Sequence, residues 1–176
     1  IEKGIQTKIS SINFIGNDTI RSRRLKDVIA SEENKFWKVI SKNTNFSKNL
    51  INLDTRLLEN YYKSIGFYDV TVNSSTVEID DKEGYAKIIY SIDEGTRYTI
   101  NKISTNIDKV FDKKIFFPLN KIFKEYAGDY YSPFKIKKLL EEVDRIIEFN
   151  NLQFVEHNVQ EVIENDSINI IFNIFE

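Results

Sequence analysis

Residues 57–72 read LLENYYKSIGFYDVTV, and within them the apolar spacing changes from that of a helix to that of a strand. Upstream, Leu50, Leu53, Leu57 and Tyr61 recur at a period of about 3.6 residues, which predicts one helix from Ser47 to Ile65 with those four side chains buried. Gly66 follows as a residue that can take the left-handed backbone ending such a helix. Beyond it Tyr68, Val70 and Val72 alternate, so a strand is predicted over Phe67–Ile79. Val77 and Ile79 fall on the other parity. Strand side chains alternate strictly, so one extra residue, a β-bulge, is expected within Asn73–Thr76.

Working outward, Ile9–Ile15 reads as a strand stopped by a turn at Gly16, Asn17 and Asp18. Leu25, Val28 and Ile29 give a short helix over Arg21–Ala30, and Tyr85–Ile92 completes a hairpin across Asp80–Gly84. The order is β, α, α, β, β, and it returns after Gly95. Tyr98, Ile100 and Ile103 mark a strand and Leu119–Tyr126 a short helix. A long helix follows over Ser132–Asn150, with Pro133 in its first turn and Phe134, Ile136, Leu139, Leu140, Val143, Ile146 and Ile147 on its apolar side. Asn151 stands where Gly66 stood, and Asn is the next most tolerant residue of a left-handed terminus. Leu152–Ile163 and Ile168–Phe175 form the second hairpin. The expected class is α+β: two tandem βααββ modules at 8–95 and 96–176, after an end of preceding module and linker at 1–7. Each is a three-stranded mixed sheet with a helix pair on one face.

Hydrophobic residues make up 41% and charged residues 30% of the 176, too apolar a balance for a disordered segment. A net charge of −2 offers no bulk attraction for phosphate, which weighs against nucleic acid. With no cysteine, disulfides and thiolate metal sites are excluded. No apolar run approaches the roughly 20 residues of a membrane span. Starting at Ile1, the chain reads as an excised soluble fragment. His157 is the single histidine, and no carboxylate partner for it is recognisable, so it suggests neither a metal ligand nor a base. No nucleophile motif stands out. The expectation is a chain that is not an enzyme and uses no cofactor or metal.

Ile12-Asn13-Phe14-Ile15-Gly16-Asn17, Leu57-Leu58-Glu59-Asn60-Tyr61-Tyr62, Gly66-Phe67 and Glu94-Gly95 occur in order at spacings that resemble the POTRA signature. Asp54 and the Trp37 segment resemble the third POTRA module of the BamA outer-membrane assembly factor family; Gly128 and Tyr131 resemble the fourth. The second module departs from the pattern at Ile107-Asp108, in place of Gly16-Asn17, and at Asn151. The resemblance implies a periplasmic segment attached to an outer-membrane β-barrel. Its implied partners are assembly-machine lipoproteins and unfolded outer-membrane protein clients, with periplasmic chaperones as further candidates, held by adding a strand to a sheet edge. The expected edge comprises Tyr68, Val70, Thr71, Val72, Asn73, Ser74 and Ser75, since Thr71 and Asn73–Thr76 bring neither charge nor proline to block pairing.

Arg21, Arg23 and Arg24 open the first helix, where the macrodipole favours acids. They read either as a patch for an anionic partner or as solvated arginines paired with Asp18 and Asp27. Phe36 and Trp37 read as an aromatic anchor or as residues folded back on the core, and Phe116 and Phe117 as packing under the second interhelix connection. Gly16, Asn17, Gly66, Gly95 and Asn151 are expected structural turns. Two readings compete with barrel assembly. One is a POTRA segment of another barrel transporter, in two-partner secretion or the translocation and assembly module. The other is a KH-like RNA-binding module, which needs a GxxG loop between its helices. Ser31–Phe46 contains no glycine, and Gly128-Asp129-Tyr130-Tyr131 is not GxxG.

Overall fold

Each half of the chain places its most apolar strand between two others, in a computed structural model that describes residues 7–34, 44–80 and 84–176. The elements are β1 (Lys8–Ile15), α1 (Ser22–Val28), α2 (Lys48–Ser64), β2 (Thr71–Asp80), β3 (Tyr85–Asp93), β4 (Thr99–Ile107), α3 (Leu119–Tyr126), α4 (Pro133–Phe149), β5 (Glu156–Glu164) and β6 (Ser167–Phe175). A 3-10 turn at Lys113–Phe116 precedes α3. The fold is α+β, with two three-stranded mixed sheets of order β1-β3-β2 and β4-β6-β5. In each, the hairpin pair is antiparallel, whereas the first strand, separated by two helices, returns parallel to the last.

The central strands bury alternate residues: Ala86, Ile88, Tyr90 and Ile92 on β3, and Ile168, Ile170, Phe172 and Ile174 on β6. The chain divides into two compact units, Ile1–Tyr62 with Asp69–Gly95, and Lys63–Tyr68 with Thr96–Glu176. In the second unit, the β6 residues share one core with Phe116, Leu119 and Phe123 and with Ile136, Leu139 and Val143 of α4, so the helices cover one sheet face. Lys63–Tyr68 joins this unit through Tyr98 N–H donating to Gly66 O at 2.8 Å, Arg97 Nε donating to Ile65 O at 2.8 Å, and the Tyr68 ring standing edge-on to Tyr98 and Tyr131.

Three sequence expectations need correction. On α2 the buried side chains are Ile51, Asp54, Leu58 and Tyr62, one step around the helix from the expected stripe, and Leu53 is exposed. Asp54 decides that face: its Oδ1 accepts from Ala30 N–H at 2.7 Å and Ser31 N–H at 3.2 Å, and its Oδ2 accepts from Tyr90 Oη at 2.7 Å. On α4, Phe134 is exposed, because it lies off the line of Ile136, Leu139 and Val143. The strand expected from Phe67 begins only at Thr71, since Phe67 and Tyr68 are taken by the contacts around Arg97 and Tyr98. The expected bulge is present: Ser75 pairs with Ile89 and Glu78 with Lys87, so β2 gains one residue on β3 just after the predicted stretch begins to close.

Gly16 follows β1 with φ +76°, and a Cβ there would lie 2.0 Å from the carbonyl oxygen of Ile92. Gly16→Ala is therefore expected to cost about 3 kcal/mol through the left-handed backbone and the forced separation of β1 from β3. Urea unfolding measures this, and an unchanged midpoint would show that the close approach is soft.

Candidate functional site

Parity determines which backbone groups of β2 face outward. Lys8 N–H donates to Gly84 O, so the even residues of β3 face β1 and its odd residues face β2. Their β2 partners Thr71, Asn73 and Ser75 bond inward, leaving Val72 and Ser74 to direct N–H and C=O to the open side. Beside them is a groove of about 260 Å³ lined by Phe46, Lys48, Ile51, Asn52 and Ser74. Val72 N–H already donates to Glu59 Oε1 at 3.3 Å, so a carboxylate from α2 occupies one of the two outward donors. After the bulge the inward partners become Glu78 and Asp80, which reverses the outward parity. The opposite edge is covered: Asn34 N–H donates to Ile9 O, Phe46 N–H to Thr7 O, and Ile12 N–H to Glu33 Oε1.

The side chains expected at this edge separate into two groups. Thr71, Asn73 and Ser74 are exposed, whereas Val72 is core and Val70 is buried ahead of the strand. Tyr68 belongs to the second unit's aromatic cluster, and Ser75 keeps its backbone pairing with Ile89. Sequence reasoning missed Glu59 and the groove residues Lys48 and Asn52, because only the placement of α2 against β2 brings them to the edge.

The three arginines have separate surroundings. Arg24 donates to Tyr61 Oη at 3.4 Å with its guanidinium 5.5 Å from that ring, and the Tyr61 bond raises its pKa further above an already high value. Arg23 lines a separate recess with Lys26, Asp27 and Glu33, while Arg21 is the exposed residue before α1. Phe36 and Trp37 lie outside the described residues. Phe116 is buried as expected, but Phe117 is 58% exposed, because the 3-10 turn aims only one of the two rings inward. His157 does have a carboxylate partner, Asp144 Oδ1 at 2.7 Å, supplied by α4. Gly66, Gly95 and Asn151 all take positive φ, and Asn17 Nδ2 bonds Ile20 O at 2.7 Å across the first turn. No helix among the described residues is long and apolar enough to cross a membrane.

Known proteins share this architecture. The assembly factor BamA of Buchnera aphidicola (subspecies Acyrthosiphon pisum) is 24% identical over 84% of the chain and 23% of its own length. BamA of Neisseria meningitidis serogroup B is 21% identical over 91% of the chain and 20% of its own length. The chain thus spans under a quarter of the length of these curated relatives. The crystal structure of Haemophilus influenzae BamA POTRA3-5 superposes with a TM-score of 0.72 at 14% identity, covering 97% of this chain and 66% of that one. The POTRA family model, described as surface antigen variable number repeat, matches residues 7–95, just over half of the chain, and the chain belongs to the POTRA family.

Proposed function

We propose that the chain is a non-catalytic periplasmic binding segment of a β-barrel assembly machine, lying ahead of an outer-membrane barrel and holding partner lipoproteins and unfolded outer-membrane protein strands by strand addition at β2. The observation that carries this reading is an edge strand whose outward Val72 and Ser74 adjoin a side-chain groove. Main-chain pairing makes little demand on client sequence, and the groove supplies a pocket for one alternate side chain. The BamA relatives support the barrel-assembly setting.

Because Glu59 holds Val72 N–H, a client strand must displace that carboxylate. An amide NMR titration of the chain with an extended peptide from an outer-membrane barrel strand is expected to shift residues 71–75 selectively. Glu59→Ala is expected to tighten binding roughly three- to ten-fold, the yield of one released hydrogen bond. Silent residues 71–75, with unchanged affinity in Glu59→Ala, would remove strand addition at β2.

A further inference from the structure

The second unit has an edge of a different kind. β5 pairs with β6 from Glu156↔Phe175 to Glu164↔Ser167 with no break in register, whereas β2 is interrupted by its bulge. Thr99 N–H and Asp108 N–H donate to the carbonyls of Asp166 and Ile174, so the even residues of β6 face β4 and its odd residues bond β5. By the same alternation His157, Val159, Glu161 and Ile163 turn N–H and C=O away from the sheet. Among the described residues nothing accepts from those four N–H groups. β5 carries no proline, lysine or arginine, and its helix-side polar residues are engaged: His157 with Asp144, and Glu161 with Tyr131 Oη at 2.7 Å. The opposite edge is closed, since Gly128 N–H donates to Ile100 O, Ile100 N–H to Asp129 O, and Tyr131 N–H to Tyr98 O.

Across the other sheet face runs a line of three amides. Asn106 Nδ2 on β4 donates to Asn173 Oδ1 on β6 at 3.0 Å, and Asn173 Nδ2 donates to Asn158 Oδ1 on β5 at 2.9 Å. Every donor points toward the open edge, where Asn158 is exposed and its own Nδ2 has no acceptor among the described residues. An antiparallel strand added to β5 would bond His157 and Val159 and meet Asn158 in a non-hydrogen-bonded pair. There Cα atoms approach to about 4.5 Å and side chains are closest. Glu156, two residues from Asn158 on the same face of β5, repels a carboxylate at that position, and a carboxamide continues both the donor and the acceptor pattern of the line, as in stacked amide ladders.

We propose that the amide line makes the β5 edge selective for an extended segment that places asparagine or glutamine opposite Asn158. The inference rests on the strand-addition reading above but on different residues. The test titrates the full 176-residue chain with three peptides: a neutral extended peptide with a central asparagine, the same peptide with alanine there, and the asparagine peptide N-methylated on its pairing edge. Shifts are expected at residues 157, 159, 161 and 163 and at the Asn158 side-chain amide. The asparagine peptide should bind about five-fold tighter than the alanine peptide. Asn158→Leu should erase that preference while binding persists, and the N-methylated peptide should not bind.

Equal affinities of the two peptides for the unaltered chain would overturn the amide selectivity. Shifts confined to residues 71–75 would overturn the β5 edge and leave β2 standing, and silence at both edges would remove both readings. Concentration-dependent shifts of β5 without peptide would assign the edge to a second copy of the chain and overturn the proposal.

Discussion

Asp54→Ala is expected to destabilise the first unit by about 3–5 kcal/mol, enough to leave much of it unfolded at ambient temperature. Asp54 is fully buried and accepts from two backbone N–H groups beyond α1 and from the Tyr90 hydroxyl on β3, thereby joining both helices to the central strand. Truncation strands all three donors in a place where water cannot replace the acceptor. Asp54→Asn keeps one oxygen for the backbone pair and is expected to cost about half as much. Burial, and then the Asp54 bond, holds the Tyr90 pKa well above the ordinary tyrosine range. The folded-state pKa is thus raised, so this contribution is present in full below about pH 10 and declines as the pH rises further. Urea unfolding followed by amide exchange of β3 measures the loss. A change below about 1 kcal/mol would mean that α1 and α2 are held by apolar contacts alone.

That residue also explains where the sequence was hard to read. Leu50, Leu53, Leu57 and Tyr61 form the more apolar stripe of α2, and hydrophobicity alone selects it. The buried stripe contains an acid whose donors lie 23, 24 and 36 residues away. Local signals did better where the chain's own geometry decides: α3 spans Leu119–Tyr126 as its spacing predicts, Asn151 takes φ 50° where Gly66 takes 109°, and the parity change in β2 gives a bulge. The candidate edge was legible as a strand without charges. Its occupancy by Glu59 was not, and neither was the amide line, since Asn106, Asn158 and Asn173 meet only after three strands have settled their register. The edge of the first unit is consequently shorter and more guarded than its sequence suggests, and that of the second, though it begins at Glu156 and not at Leu152, runs unbroken to Glu164.

Phe172→Ala is expected to cost the second unit about 3–5 kcal/mol. Phe172 is fully buried at the middle of β6, stacked on Phe123 of α3 at 5.4 Å between centroids and 16° between planes. It pairs with Thr105 on β4 and with Val159 on β5, so one side chain ties the helices to the strand that sets both neighbouring registers. Losing the ring leaves a cavity that the flanking Ile170 and Ile174 cannot fill without breaking their own alternation. The outward row of His157, Val159, Glu161 and Ile163 exists only while β5 keeps its pairing with β6. Phe172→Ala should therefore lose peptide shifts on β5 together with cooperative thermal unfolding of the unit, whereas Phe172→Leu, which leaves a smaller void, should keep both. Asn158→Leu supplies the complementary case, altering selectivity with the unfolding transition unchanged. If Phe172→Ala bound the asparagine peptide normally after its cooperative transition had disappeared, binding could not depend on the ordered edge, and an unstructured segment would have to be carrying it.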